Sequence, residues 1–344
     1  MKTNETPADQ AVKKTGKAVK WLSRIGICLL IAALAVLVIQ LGSGKPLKVT
    51  LIDILSKTTD GISLGSIYAI IALGYTMVYG IAKMLNFAHG DVIMIGAYVS
   101  YTSMMYAGVP SLLALAIAMA VCTILGVVIE RLAYRPLRSA PSLAVLITAI
   151  GVSYLLQNIA LLIWSANPKS YPTIVTFGSL SFFGGSLTVS GESIVCIAAC
   201  ILVMIGLTVF TSKTRTGKGM RAVAEDRDAA ELMGISVNKT IAITFAIGSA
   251  LAAIAGVLYC SMYPRLEPTT GAIPGIKAFT AAVLGGIGSI PGTLVGGLLL
   301  GVIEIFSKAY INDQLADAIV FAVLVVILLV RPAGLLGKKV TEKV

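Results

Sequence analysis

The chain has 344 residues, of which 57% are hydrophobic and only 12% are charged, and its mean hydropathy is +0.92. This composition excludes an ordinary soluble domain, in which about a quarter of the residues are charged. The formal net charge of +11 comes from basic residues at the ends of apolar runs. They form no stripe with interleaved aromatic residues, so we predict contacts with anionic membrane lipids and no nucleic-acid partner.

The N-terminal region combines a basic tail, residues 1–24, with an apolar run at 25–41. This order resembles the charged and apolar regions of a signal peptide. The apolar run is long, however, and no small-x-small cleavage site follows it. We therefore predict a retained extra transmembrane helix at 25–41, preceded by a cytoplasmic tail.

Further apolar runs have the length of about 20 residues that a membrane-spanning helix needs. One longer run, 276–307, is interrupted by the sequence GGIGSIPG at 285–292, and it forms either two short spans or a re-entrant hairpin. The sequence therefore predicts an all-α integral membrane protein with eight or ten transmembrane helices and glycine-broken segments. The uninterrupted runs are 61–82, 90–107, 111–129, 142–164, 193–210, 239–262 and 315–330.

Basic connectors predict the orientation of these spans, because Lys and Arg accumulate in cytoplasmic loops. The connectors are the ERLAYRPLRS stretch at 130–139, the segment 213–239 and the tail 338–344. With these inside, both termini of a multi-pass plasma- or inner-membrane protein are cytoplasmic. The segment 165–192 is then external, and its Pro, Gly, Ser and aromatic content predicts a turn-rich loop with a short hairpin. That loop is either a surface for an external partner or an ordinary connection.

The long polar segment 213–238 reads KTRTGKGMRAVAEDRDAAELMGISVN. Its pattern predicts two short helices, with Thr216 and Asp226 as caps and Gly234 ending the second. The segment is either a solvated loop or a docking surface for a partner outside the membrane. Four acidic residues favour docking, because a positive-inside loop needs only Lys and Arg. Met220 and Met233 are the predicted apolar contacts of such a surface.

Two glycine-containing segments carry polar groups at membrane depth, where such groups usually line a water-filled route. In NFAHGD at 86–91, the alternative is a structural role, with the Asp91 carboxylate at a helix N-terminus. In GGIGSIPG, Pro291 suits a helix start that could face a substrate carboxylate, and the alternative is tight helix packing. We predict that both segments approach a translocation pathway. The predicted pathway residues are Asn86, His89, Asp91, Gly285, Gly286, Gly288, Ser289 and Gly292.

Motifs for chemistry are missing from the sequence. The only TGKG, at 216–219, has neither the upstream glycine nor the Ser/Thr of a phosphate-binding loop. His89 is the single histidine, and no catalytic triad or paired carboxylates are found. The five cysteines lie in apolar runs and are predicted to be buried free thiols. We predict a chain that is not an enzyme.

Four blocks of the sequence, in order, resemble the branched-chain amino acid ABC-transporter permease family. They are GSIYAIIALGYTMVYGIAKMLNFAHGDVIMIGAYV, TGKGMRAVAEDRDAAELMGI, FTAAVLGGIGSIPGTLVGGLLLGVIE and RPAGLLG. The resemblance covers about residues 61–337 and is nearest to the subunit that carries NFAHG. It implies the fold of an ABC importer permease, with a permease domain over 42–337 and a cytoplasmic coupling loop at 213–238.

The resemblance also implies the function and the partners. The chain is then a permease subunit of an ATP-driven, binding-protein-dependent importer of Leu, Ile and Val. A second permease in a hetero- or homodimer, two cytoplasmic ATPase subunits and an extracytoplasmic substrate-binding protein complete the importer. No cofactor is expected in this chain, since ATP and Mg²⁺ bind the ATPases. The alternatives are a permease for urea or short-chain amides, and a self-contained secondary transporter.

The family's coupling motif is Glu-Ala-Ala, three residues and then Gly. Residues 228–234 match it with Asp in place of Glu, although the Leu-Pro ending of many importer permeases is missing. The coupling residues implied by this match and its flanks are Arg221, Asp226, Arg227, Asp228, Ala229, Ala230 and Gly234.

Overall fold

The computed structural model describes residues 47–138, 140–175, 178–182, 187–331 and 333–337. The predicted tail 1–24, the predicted helix 25–41 and the tail 338–344 lie outside these residues. The chain divides into two units, Met1–Ser56 and Lys57–Val344. Of the first, only the beginning of one helix is described, and all contacts discussed below belong to the second.

Helices dominate the described residues, as the apolar runs predict. They are α1 (Leu47–Ala82), α2 (His89–Met105), α3 (Ser111–Ile129), α4 (Ser142–Trp164), α5 (Gly191–Lys213), α6 (Arg215–Glu225), α7 (Arg227–Leu232), α8 (Val237–Met262), α9 (Ala272–Gly285), α10 (Ile290–Tyr310) and α11 (Asp313–Val330). A π-helical turn, Glu130–Tyr134, and a 3₁₀ turn, Arg135–Leu137, extend α3.

Seven helices in the described part of the chain are long and apolar enough to cross a membrane. The predicted spans agree with the helix bounds within a few residues, except that α1 starts at Leu47 rather than at 61. The predicted span 90–107 forms α2, which has 17 residues and is not one of the seven. The residues before 61 are more polar but include no proline after Pro46, so the helix continues where the hydropathy signal ends.

Burial separates a central helix from peripheral ones. The most apolar window of α1 is 94% buried, whereas the corresponding windows of α4 and α5 are 17% buried and that of α11 is 11% buried. Small residues let the inner helices approach closely. A Cβ atom at Gly126 of α3 would lie 2.9 Å from the carbonyl oxygen of Phe245 in α8. Such contacts are typical of packed membrane helices.

The predicted break at 285–292 is confirmed, because α9 ends at Gly285 and α10 begins at Ile290. Pro291 lies in the first turn of α10, as predicted. With 14 residues, α9 is about 21 Å long, which is less than the roughly 30 Å of a bilayer core. Only α10 of this pair is long enough to cross.

The loop 165–192, which was predicted to be external, takes part in two small antiparallel pairings. Strands β2 (Leu180–Phe182) and β3 (Leu187–Val189) form the predicted hairpin. Strand β1 (Lys169–Ser170) pairs with β4 (Arg265–Leu266), which the sequence did not predict because two-residue strands have no readable alternation. Next to β1, the buried Tyr171 hydroxyl lies 2.5 Å from Ser100 Oγ. Burial raises the pKa of Tyr171, so the phenol stays neutral.

The polar segment 213–238 forms two helices, α6 and α7, as predicted. The predicted cap Thr216 is wrong. Thr214 caps α6 instead, and its Oγ1 accepts a hydrogen bond from the Gly217 amide at 2.9 Å. The first turn starts earlier because Gly217 packs directly on the last turn of α5, where a side chain would meet the Phe210 carbonyl.

Candidate functional site: a coupling segment joined to two broken helices

The short helix α7 is capped at both ends by its own sequence. At its start, Asp226 accepts hydrogen bonds at 3.0 Å from the amides of Asp228 and Ala229. At its end, Gly234 has a φ of +82°, and the Ile235 amide donates to the Ala230 carbonyl at 3.0 Å. This is a Schellman ending, which favours glycine because other residues are strained at positive φ. The predicted caps Asp226 and Gly234 are confirmed.

The exposed surface of this segment differs from the predicted one. Met220 is fully buried, so its predicted contact with a partner is wrong. It shares the inward face of α6 with Val223, three residues later. Leu232 and Met233 are 89% and 82% exposed, and they form an apolar tip at the end of α7.

Two arginines of the segment hold it against neighbouring helices. The Arg221 guanidinium donates to the Ser212 carbonyl at the end of α5, at 3.3 Å. The Arg227 guanidinium donates to the carbonyl of Ala82, the last residue of α1. The predicted coupling segment, 213–238, therefore contacts the end of α1, where the connection to the first glycine-containing segment begins.

That first segment connects α1 to α2 through residues 83–88. Lys83 adopts a φ of +54°, which is uncommon for a residue other than glycine. Asn86 is buried, and its Oδ1 accepts a hydrogen bond from the Tyr134 hydroxyl at 2.8 Å. Tyr134 was not singled out from the sequence, because nothing in the pattern relates a π-helical turn to a residue 48 positions earlier.

His89 starts α2 and is 1% exposed. Its ring forms a hydrogen bond with the backbone of Ile71, and Tyr75 lies against it with ring centroids 4.6 Å apart. A Cβ atom at Gly74 would lie 2.5 Å from His89 Nε2. Among the described residues, that nitrogen has no hydrogen-bond partner. A buried nitrogen without a hydrogen-bond partner is destabilising.

A cavity of about 10 Å³ lies beside His89. This is about the smallest space that holds one water molecule. Asn86 and His89, from the first glycine-containing segment, line this cavity together with Ile287 from the second. Its other lining residues are Tyr75, Val78, Tyr79, Met84, Leu85, Phe279 and Ala282.

Asp91 points to a different place. It lies in the first turn of α2, where a carboxylate complements the helix dipole, as predicted. Its Oδ1 accepts a hydrogen bond from Gln157 Nε2 of α4 at 2.9 Å. Asp91 therefore joins α2 to α4 and does not line the cavity with Asn86 and His89.

The second broken segment is closely packed rather than open. Gly285 and Gly292 lie against each other, and a Cβ atom on Gly285 would lie 2.8 Å from the Thr293 amide nitrogen. Ser289 caps α10 by accepting from the Gly292 amide at 3.2 Å. The tight-packing alternative therefore describes Gly285 and Gly292, and Ile287 is the residue that reaches the cavity.

Gly286 and Gly288 both have positive φ, +104° and +93°, but their surroundings differ. A Cβ atom on Gly286 would lie 2.6 Å from Gly337 Cα, whereas nothing lies within 4 Å of one on Gly288. Residues 333–337, at the C-terminal end of the described chain, pack here, because the Leu335 amide donates a hydrogen bond to the Leu284 carbonyl at 2.9 Å. Gly286 thus anchors the C-terminal block.

A buried ionic cluster, which the sequence analysis did not predict, joins α1, α9, α10 and α11. Glu304 accepts from Lys277 at 2.8 Å, from Lys308 at 2.9 Å and from the Tyr68 hydroxyl at 2.9 Å. Lys277 also pairs with Asp317 at 2.6 Å. Lys277 and Glu304 lie 27 positions apart, and only the hairpin of α9 and α10 brings them together. No three His, Cys, Asp or Glu side chains form a metal-binding group in the described residues.

The sequence matches a known family over most of its length. The family described as branched-chain amino acid transport system, permease component, matches residues 58–328. The high-affinity branched-chain amino acid transport system permease protein BraD of Pseudomonas aeruginosa is 47% identical over 302 residues, 84% of this chain and 98% of that protein.

Other relatives are similar over comparable lengths. The permease protein LivH of a high-affinity branched-chain amino acid transport system of Escherichia coli K12 is 44% identical, over 84% of this chain and 97% of LivH. The autoinducer 2 import system permease protein LsrD, from another E. coli strain, is 27% identical over 93% of this chain and 96% of LsrD.

Proposed function

We propose that this chain, which belongs to the branched-chain amino acid transport system permease family, imports Leu, Ile and Val. It does so as the transmembrane subunit of an ATP-driven importer that receives its substrate from a binding protein. ATP and Mg²⁺ bind to partner ATPases, which supply the hydrolysis. This chain converts their movement into alternating access.

The contact between Arg227 and the Ala82 carbonyl is the observation that carries the proposed coupling to the ATPases. It joins the helix that matches the family's coupling motif to the start of the segment 83–88. That segment leads to Asn86 and His89, which line the cavity with Ile287 of the second break. Displacement of α7 by an ATPase would therefore act directly on the first broken segment.

The exposed tip Leu232–Met233 is the proposed anchor in an ATPase groove, since a few apolar side chains supply most of the energy of such contacts. Asp228 and Glu231 beside it set the register by charge. The coupling residues predicted from the motif, including Arg221, Ala229 and Ala230, then act by shaping α7 and holding it in place. On this proposal, the coupling end and both termini are cytoplasmic.

The lining of the cavity suits an aliphatic side chain in transit. Val78, Phe279, Ala282 and Ile287 are apolar, and Asn86 and His89 supply polar groups for a charged end of the amino acid. At about 10 Å³ the cavity cannot hold an amino acid, so this arrangement corresponds to a closed route. A second permease, in a homo- or heterodimer, completes the route along the exposed helices α5 and α11.

Uptake measurements test the function directly. Cells that express the chain with its partner permease, ATPases and binding protein should accumulate labelled leucine, isoleucine and valine. Uptake should cease when an ATPase subunit is inactivated. Preferential uptake of urea or a short amide would favour the alternative substrate class. Leucine uptake without ATPases or binding protein would instead identify a self-contained secondary transporter.

A further inference from the structure

We propose that the chain binds an anionic phospholipid in a second cavity, at the end of the helix bundle that carries the coupling segment. This cavity has a volume of about 650 Å³. It lies between the end of α1, the 3₁₀ turn and the start of α4. Its lining residues are Tyr79, Ala82, Lys83, Met84, Leu85, Leu137, Arg138, Ala140, Ser142, Leu143, Val145, Leu146 and Arg227.

The charged residues of this lining are all basic: Lys83, Arg138 and Arg227. Arg138 pairs with Glu130 and also donates to Asn238, while Arg227 donates to the Ala82 carbonyl. A guanidinium group has five N–H donors, so both arginines keep donors for a further acceptor.

Lys83 is the cation without an assigned partner. It is exposed, and it forms no ion pair within the described residues. Three cationic side chains around one cavity attract a phosphate group, and Arg recognises phosphate particularly well.

One apolar part of the remaining wall belongs to α4, a helix that is largely exposed. Leu143, in the first turn of α4, is 64% exposed, and Val145 and Leu146 continue the wall. Since α4 buries only 17% of its most apolar window, its outer surface is available to acyl chains. A free phosphate ion would contact only the basic side chains, whereas a phospholipid would contact the basic side chains with its headgroup and the apolar wall with its acyl chains. Basic pockets between membrane helices are known to take anionic headgroups in this way.

The position of this lipid connects it with coupling. Tyr79, Met84 and Leu85 line both this cavity and the small cavity beside His89. A lipid headgroup held by Lys83 and Arg227 would therefore stabilise the contact between α7 and the first broken segment. Lipid binding itself does not depend on which substrate is carried, so its test is independent of uptake.

Native mass spectrometry of the full-length chain tests the site. The protein is released from nanodiscs that contain equal amounts of phosphatidylglycerol and phosphatidylcholine with identical acyl chains. We expect the wild type to retain phosphatidylglycerol in preference to phosphatidylcholine. Lys83→Gln should reduce that preference about fivefold, as expected for one basic residue near a membrane surface.

Two further variants separate the cavity from general electrostatics. Lys213→Gln removes the same charge from an exposed lysine that lines neither cavity, and it should leave the preference unchanged. Ala140→Trp places bulk in the cavity without removing charge and should lower retention. Equal loss in Lys83→Gln and Lys213→Gln would overturn the proposal. So would equal retention of both lipids by the wild type.

Two more results would also contradict it. Displacement of the signal by inorganic phosphate alone would identify a free-anion site. A disulfide from Leu143→Cys to a partner subunit, with no phosphatidylglycerol retained, would assign the cavity to a protein interface.

Discussion

The guanidinium group of Arg227 donates a hydrogen bond to the carbonyl oxygen of Ala82, 145 residues earlier in the chain. Ala82 is the final residue of the central helix α1, and Lys83 after it has a left-handed backbone. A hydrogen bond from a charged group to the end of a helix is stronger than a neutral one. On the proposed mechanism, this hydrogen bond transmits the movement of α7 to the end of α1.

Removing this contact should uncouple transport. We expect Arg227→Gln to lower leucine uptake about tenfold, because loss of a charged hydrogen bond costs roughly 1.5–3 kcal/mol. The partner ATPases should still co-purify with the variant, since Leu232 and Met233 are unchanged. Arg131→Gln, at an exposed arginine of the π-helical turn, is the control and should keep normal uptake. Normal uptake by Arg227→Gln would show that this contact does not transmit movement.

Gly234 should be required because of its positive φ and not because a side chain there would clash. A Cβ atom there would meet nothing within 4 Å, but the φ of +82° strains any other residue. We expect Gly234→Ala to destabilise the Schellman ending by about 1 kcal/mol and to weaken co-purification of the ATPases. Gly206→Ala is the matched control, since its Cβ is also in open space but within α5. If both variants bind the ATPases equally well, the ending of α7 has no part in docking.

Gly286 and Gly288 should respond differently to the same change. Gly286→Ala forces a side chain against Gly337 as well as straining φ, so we expect a lower melting temperature and lost anchoring of residues 333–337. Gly288→Ala adds only the φ strain. The sequence predicts that Gly288 lies at the translocation pathway, so Gly288→Leu, whose Cβ would meet nothing within 4 Å, should lower uptake. Uptake and thermal stability measured together distinguish a blocked route from a misfolded helix pair.

The ionic cluster around Glu304 should be essential for stability. Lys277→Met leaves Glu304 and Asp317 with fewer partners, and breaking a buried ion pair costs about 3–5 kcal/mol. Lys308 pairs with the same carboxylate, but its side chain is 34% exposed. We therefore expect Lys308→Met to lower the melting temperature in detergent much less than Lys277→Met. Equal effects would mean that burial does not determine the strength of these pairs.

Accessible cysteines test the proposed orientation. In a background without the native cysteines, Ser212→Cys at the end of α5 should react with an impermeant reagent only from the cytoplasmic side. Asn167→Cys, in the loop after α4, should react only from outside. Both positions are exposed. Reversed labelling would overturn the orientation, which rests on the distribution of basic residues.

Local sequence patterns were enough to predict most of the fold and part of the site. The helices, the hairpin at 180–189, the break at 286–289 and the caps Asp226 and Gly234 all follow from signals within a few residues. Apolar periodicity, proline and glycine affect the backbone conformation of residues close to them in sequence. These elements can therefore be predicted without knowing the rest of the chain. The start of α1 and the cap Thr214 were missed because polar residues near a helix start do not mark its exact boundary.

The tertiary structure decided which of the candidate residues meet. It placed Asn86 and His89 beside Ile287 and turned Asp91 towards Gln157. It also buried Met220, whose position in the sequence did not show which face of α6 it lies on. It also created the contact of Arg227 with Ala82 and the pairing of Lys277 with Glu304. These contacts depend on how whole helices cross, and helix crossing is set by packing over many side chains together. The sequence therefore determined the elements and the family, and only their packing determined how coupling segment and broken helices are joined.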